Sequence, residues 1–316
     1  MSYAAGTDKF LELYHRAMPS DFYTYPVEEQ RRLYLSLSEV FPYPLPAGVA
    51  ASDDVVHWQG RTLRVRLYRP ARRARGGLLV YMRGGGFVVG SLDSHNTLVA
   101  ELAQKTGRNT VALDFRQAPE HPFPAALEDC YGALCAIAQR PEAVRLDEDD
   151  VGALVLCGDS SGANLAVAIS MKCRDEGGPK PRGMGLISPV LDFVRWRGSG
   201  EDDPLLGGEM EFYTRSYCPT LGQARHPYAS PLVSGEFHDL PPAYVLSAEL
   251  DSLRADGEKC AEQLRRNGIP VQHVVEPGLV HAPLRGRSLI PQVADAWERF
   301  CAAAARLAAG EPVEHR

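Results

Sequence analysis

At 316 residues the chain exceeds the usual size of one compact domain, although α/β proteins use such a length for a single sheet with insertions. Hydrophobic residues at 45% and charged residues at 23% exclude a disordered chain, and a net charge of −6 with a pI of about 5.9 leaves no basic field for nucleic acid or an anionic membrane. No stretch approaches the roughly 18 apolar residues of a membrane span, and MSYAAGTDKF has neither the basic start nor the apolar run of a secretion signal, so a cytoplasmic protein without membrane insertion is expected.

In chain order, Asp8 to Ala17 is amphipathic with Phe10, Leu11, Leu13, Tyr14 and Ala17, and Arg31 to Val40 repeats the helical style. Phe41-Pro42-Tyr43-Pro44-Leu45-Pro46 cannot continue a helix, because each proline lacks an amide hydrogen and restricts its predecessor. Val55–Trp58 and Leu63–Tyr68 read as paired strands around Gly60, the second alternating Leu63, Val65 and Leu67 with polar neighbours. Arg72, Arg73 and Arg75 beside Gly76-Gly77 read as a solvated loop.

From there the pattern changes. Leu78–Met82, Thr110–Phe115, Gly152–Cys157 and Gly183–Ile187 are short, apolar on both faces and suited to a buried parallel sheet. Ala243–Ser247 and Val271–Val275 extend the series, with helices expected at Leu98–Thr106, Ala125–Gln139, Ala163–Arg174, Arg254–Arg266 and Val293–Leu307. This alternation is the form of right-handed crossover units and predicts an α/β fold. The rhythm breaks from Asp192 to about Ser230, where Trp196, Phe212, Tyr213 and Tyr217 accompany glycines and prolines. A loop of that length inside a compact domain is functional or separately folded, and with residues 1–48 the segment 192–230 reads as a cap. Residues 49–191 and 231–316 then form the main α/β domain. The seven cysteines are odd in number and lack zinc or redox spacing, so buried free thiols and no metal site are expected.

Gly158-Asp159-Ser160-Ser161-Gly162 lies between an apolar run and a helix, a strand-to-helix turn on which small residues two before and two after Ser160 let strand and helix approach. With 29 glycines in the chain the pentapeptide alone is weak, and a capped helix start at Ser160 or Asp159 competes with a nucleophile. A serine hydroxyl needs an imidazole to take its proton and an acid to orient that imidazole. Asp251 and then His281 follow later strands on loops, although Asp251 also reads as a helix cap and Glu249 and Asp256 are rival acids. Arg83-Gly84-Gly85-Gly86-Phe87 follows the strand Leu78–Met82, and such a loop, with the amide of Ser161, suits an oxyanion hole. Neither a phosphate loop nor a dinucleotide fingerprint matches it.

The segments Gly84 to Phe87, Asp114-Phe115-Arg116-Gln117-Ala118-Pro119-Glu120-His121-Pro122-Phe123-Pro124-Ala125-Ala126, Gly158 to Gly162, Ser188-Pro189 and Asp251-Ser252-Leu253-Arg254 together resemble the hormone-sensitive lipase family of α/β-hydrolases, which includes bacterial carboxylesterases. The similarity runs from about Leu78 to His281. It implies a mostly parallel central sheet flanked by helices with a helical cap. It also implies a triad of Ser160, Asp251 and His281, and oxyanion donors on Gly85, Gly86 and Ser161. Arg83 replaces the family's histidine before the glycines and is expected to brace the loop by bonding a carboxylate or carbonyls behind it.

The expected activity is hydrolysis of small soluble acyl esters without a cofactor, with the oligomeric state open. An amidase or deacetylase would use the same groups. A small-molecule-binding protein on the same scaffold is the alternative of another class, against which the presence of His281 counts.

Overall fold

The computed structural model describes residues 2–197, 208–281 and 283–313. Eight strands form one sheet in the order β1-β2-β4-β3-β5-β6-β7-β8. β1 (Val49–Trp58) and β2 (Arg61–Pro70) form an antiparallel hairpin whose two-residue turn, Gln59-Gly60, has φ of 46° and 78°. That primed turn matches the right-handed twist of the strands. Both strands extend beyond the expected bounds. Much of β1 is polar and exposed at a sheet edge, where pairing with β2 sets the register and no apolar alternation is needed.

β2 pairs antiparallel with β4 (Thr110–Asp114), and from there β3 (Leu78–Met82), β5 (Leu154–Asp159), β6 (Gly183–Ile187), β7 (Ala243–Ala248) and β8 (Val271–Glu276) run parallel. β3, β5, β6 and β7 are buried along their whole length, as both-face apolar runs require. β8 at the other edge is only half-buried at Gln272 to Val275. The mostly parallel sheet with flanking helices is therefore borne out.

Helices α1 (Thr7–Ala17), α2 (Val27–Val40), α3 (Asn96–Thr106), α4 (Ala125–Gln139), α5 (Glu148–Val151), α6 (Ser161–Glu176), α7 (Glu209–Tyr217), α8 (Leu221–Ala224), α9 (Pro231–Ser234), α10 (Arg254–Arg266) and α11 (Pro291–Ala309) complete the described elements. Of these α5, α8 and α9 are single turns. One face of the sheet is covered by α4, α6 and α10 through Leu127, Leu134, Val167, Ile169 and Leu264. α3 and α11 cover the other through Leu98, Leu102, Trp297 and Phe300.

A third cluster lies over the carboxyl ends of the strands. Phe10, Phe22, Leu37 and Phe41 from the N-terminal helices meet Val88 and Val89 of the glycine loop, Tyr213 of α7, and Leu279 and Val280 before His281. Residues 198–207 of the expected insertion 192–230 lie outside the described residues. Arg72, Arg73 and Arg75 are exposed, as a solvated loop requires, and Arg73 donates to the buried carboxylate of Asp150 at 2.7 Å. All seven cysteines are free and buried, in line with the expectation. Among the described residues no helix is long and apolar enough to cross a membrane.

Candidate active site

Ser160 occupies the turn from β5 into α6 with φ 51° and ψ −116°, a strained conformation for a residue with a Cβ. Its amide bonds Ile187 O at 2.8 Å, which ties the turn to the neighbouring strand. The flanking glycines are required by space: a Cβ on Gly162 would lie 1.9 Å from Met82 O, and one on Gly158 would lie 2.4 Å from the carbonyl carbon of Gly162. Ser160 takes the N-cap position of α6, yet its side chain makes no capping bond. Its Oγ lies 3.0 Å from Nε2 of His281 instead.

The loop after β8 carries His281, and its Nδ1 is 2.9 Å from Oδ2 of Asp251, whose side chain is fully buried. With the Nδ1 proton donated to that carboxylate, Nε2 is left as the acceptor toward the serine hydroxyl. Oδ1 of Asp251 accepts the amide of Leu253 at 2.8 Å. The N-cap residue of α10 is Leu253 and the helix has no side-chain capping bond, so Asp251 does not cap it: one carboxylate oxygen closes a local turn ahead of the helix and the other meets His281. Of the rival acids, Glu249 accepts the amide of Gly278 at 2.8 Å and shapes the histidine loop from a distance. Asp256 accepts Leu191 N at 2.7 Å and Arg195 Nη1 at 3.2 Å. Burial pushes its carboxyl up to about 7.

Gly85 and Gly86 have φ of 121° and 58°, and their amides donate to no acceptor among the described residues. Ser161 opens α6, where the first-turn amides have no intrahelical acceptor. Arg83 is buried, with Nη1 3.3 Å from Leu113 O and 3.7 Å from Asp114 Oδ1 and its guanidinium 4.1 Å over the Phe115 ring. It meets a carbonyl and a carboxylate behind the loop, while its Nε has no acceptor among the described residues. Burial pulls its pKa down against the opposing pull of Asp114.

Sequence reasoning missed the group directly beneath the glycine loop. Asp159 Oδ1 accepts the amide of Gly84 at 3.0 Å and the hydroxyl of Tyr81 at 2.7 Å, while Oδ2 is 3.5 Å from Nε2 of His95. Ser94 Oγ lies 2.9 Å from Nδ1 of His95. Burial alone would raise the Asp159 carboxyl, but His95, Tyr81 and the Gly84 amide outweigh it and hold it below its ordinary value. Burial lowers the pKa of His95 despite Asp159, which favours the neutral ring.

The segment around Ala118 holds the loop from outside. Ala118 N bonds Phe87 O at 3.0 Å, Gln117 Nε2 bonds Gly90 O at 3.0 Å, and Phe123 N bonds Tyr217 O of α7 at 2.7 Å.

A cavity of about 170 Å³ opens onto Ser160 and His281, lined by Phe10, Tyr14, Tyr34, Met210 and Tyr213 among others. This volume is close to the ~150 Å³ that accommodates a benzene-sized molecule. Among the described residues no cluster of metal-ligating side chains occurs.

The family described as alpha/beta hydrolase fold matches residues 79–285. The chain belongs to it. Within that family it falls in the hormone-sensitive-lipase-like carboxylesterase group. It is 35% identical to an ethyl acetate hydrolase of Pseudomonas putida over 241 residues, 74% of this chain and 75% of that protein. It is 30% identical to the carboxylesterase NlhH of Mycobacterium tuberculosis over 313 residues, 95% of each chain. Among solved structures, a Pyrobaculum calidifontis esterase superposes with a TM-score of 0.81 at 30% identity, covering 90% of this chain and 94% of its own. This α/β-hydrolase is a serine hydrolase of the carboxylesterase class.

Proposed function

We propose that Ser160 is the nucleophile, His281 its base and Asp251 the orienting acid in the hydrolysis of small soluble acyl esters. The observation that carries this reading is the continuous contact from Asp251 Oδ2 through both ring nitrogens of His281 to Ser160 Oγ, at 2.9 and 3.0 Å. Ser160 Oγ attacks the ester carbonyl as its proton passes to Nε2 of His281. The same proton is delivered to the departing alcohol oxygen, and water activated by the neutral imidazole then cleaves the acyl-serine ester.

The amides of Gly85, Gly86 and Ser161 serve as donors to the oxyanion, prealigned so that no reorganisation accompanies charge development. In this reading Arg83 braces the loop by filling the space between Phe115 and Gly90 and by its contacts to Leu113 O and Asp114. A Cβ on Gly90 would lie 3.2 Å from Arg83 Nε. The described residues 2–48, 192–197 and 208–230 serve in this reading as the cap that limits the acyl group to what the cavity admits.

A 4-nitrophenyl ester series from acetyl to decanoyl tests the proposal. Turnover is expected to be highest for short acyl chains. Ser160→Ala should lower kcat by at least about 10³-fold. Equal turnover by the two proteins would overturn the assignment of the nucleophile.

A further inference from the structure

Among the described residues, the charged side chains that line the cleft are matched within the protein with one exception among the cations. Asp93 pairs with Arg66 at 2.8 Å, and Arg287 pairs with the buried carboxylate of Glu101 while lying 3.8 Å over the Tyr43 ring. Arg285, one turn after His281, forms no ion pair with any described residue. Among the described residues its neighbours are Ser38, with a long hydrogen bond of 3.4 Å from Nη1 to Oγ, and Tyr34, with which it also shares a side-chain hydrogen bond and over whose ring the guanidinium lies at 4.7 Å. Its Nη2 is sealed from solvent without an acceptor among the described residues. A guanidinium in such surroundings is costly unless an anion meets it, and its planar fork matches a carboxylate.

Its neighbours add donors. Tyr14 and Tyr34 line the same cleft, and burial raises both phenols, the field of Arg285 opposing it, so both hydroxyls keep their protons at neutral pH. Glu209 faces the cleft from α7, where its field acts on Tyr14 and Tyr213 and where it has a partner of its own. A guanidinium, two phenols and the Ser38 hydroxyl thus surround one side of an otherwise largely apolar cavity.

We propose that this corner is an anion subsite and that the preferred substrates are esters that also carry a carboxylate. The inference rests on the Ser160 reading and names its substrate class. The bond changes are those of ordinary ester hydrolysis: water supplies hydroxyl to the acyl carbon and a proton to the alcohol oxygen. The recognised carboxylate is left intact.

Two matched pairs separate the possible positions of the charge. 4-Nitrophenyl hemiglutarate against its methyl ester places it on the acyl side, and 2-acetoxypropanoate against its amide places it on the alcohol side, the latter followed by pH-stat. For one pair the anionic-to-neutral ratio of kcat/KM should fall at least tenfold in Arg285→Gln and be partly restored in Arg285→Lys. In the unsubstituted enzyme the same ratio should fall as salt rises to about 0.5 M, since a partly exposed charge contact is screened. A ratio unchanged within twofold by the substitution in both pairs would overturn the subsite. Were Arg285→Gln to fail to fold, a salt-independent ratio would overturn it as well. Hydrolysis of the neutral esters that survives in Ser160→Ala would instead overturn the underlying site, which keeps the two failures distinct.

Discussion

Asp159 sits one residue before the proposed nucleophile and does different work, since its carboxylate holds the amide of Gly84 and the hydroxyl of Tyr81 from beneath the glycine loop. Asp159→Ala leaves those two donors and His95 facing an apolar gap, at about 1–3 kcal/mol for each unsatisfied group. The expected result is a fall of several degrees in Tm and a ten- to hundredfold loss of kcat on 4-nitrophenyl butyrate with KM within threefold. An intact kcat would show that the loop holds its shape without Asp159. The pH dependence has a definite sign. The folded state depresses the Asp159 pKa below its ordinary 3.8, so its contribution to stability is present above that value and is lost as pH falls through the lower folded one. The Tm difference between the unsubstituted protein and Asp159→Asn should therefore shrink as pH is lowered from 5 to about 3.

Arg83 reaches away from the loop amides, to Leu113 O and the Phe115 ring. Arg83→Leu should accordingly cost less kcat than Asp159→Ala in the same assay, and a larger loss would assign the main brace to arginine. The residues proposed for bond cleavage were legible because each follows a strand on a short loop with its own local signature. The Asp159 network was not. Tyr81 and Asp159 lie 78 positions apart and meet only because β3 and β5 are neighbours in the sheet. Read locally, an aspartate before a helix is a cap.

At the scale of elements, α7 is clamped to the glycine loop by two rings one helical turn apart. A Cβ on Gly86 would lie 2.3 Å from the Tyr213 ring, and Tyr217 stacks on Phe87 with centroids 3.5 Å apart and planes at 1°. The Tyr217 hydroxyl is buried and without a partner among the described residues. Tyr217→Phe should therefore leave Tm unchanged or slightly raised, because it removes an unsatisfied polar group and keeps the ring. Tyr217→Ala, which deletes the ring, should cost about 3–5 kcal/mol in a denaturant melt. If both variants were equally destabilised, the hydroxyl would have an acceptor after all. On the opposite side Arg31 of α2 donates to Val88 O, Ala118 O and both oxygens of Glu120, between 2.7 and 3.1 Å. The N-terminal helices are thus fastened to the same loop that α7 clamps. Long helices such as α4 and α10 announced themselves by composition and length, whereas the single turns α5, α8 and α9 have four residues each, too few to show a period.

For the molecule as a whole, the two sheet-covering clusters hold six of the seven thiols, and Cys135 of α4 is buried beside them. All seven cysteines are buried, and burial raises the pKa of each one in the core strands and helices, including Cys157, which is pushed up to about 12. A chromogenic disulfide reagent should titrate fewer than one thiol per chain before unfolding and all seven afterwards. Rapid reaction of one thiol in the native protein would locate an opening that the packing does not show. The sheet order could be expected only in outline from sequence, since alternation of strand and helix specifies parallel crossovers but not that β4 lies between β2 and β3.

The N-terminal segment also touches the histidine loop: Ala4 N bonds Gly278 O at 3.0 Å, while Glu249 holds the amide of that glycine. Where the two segments are coupled through this bond, a ligand that orders the loop before His281 also orders the segment around Ala4, with the same coupling in both directions. Amide hydrogen exchange at the extreme N-terminus thus becomes a remote gauge of cleft occupancy. Its slowing on addition of an ester analogue would report binding from a position with no part in the chemistry.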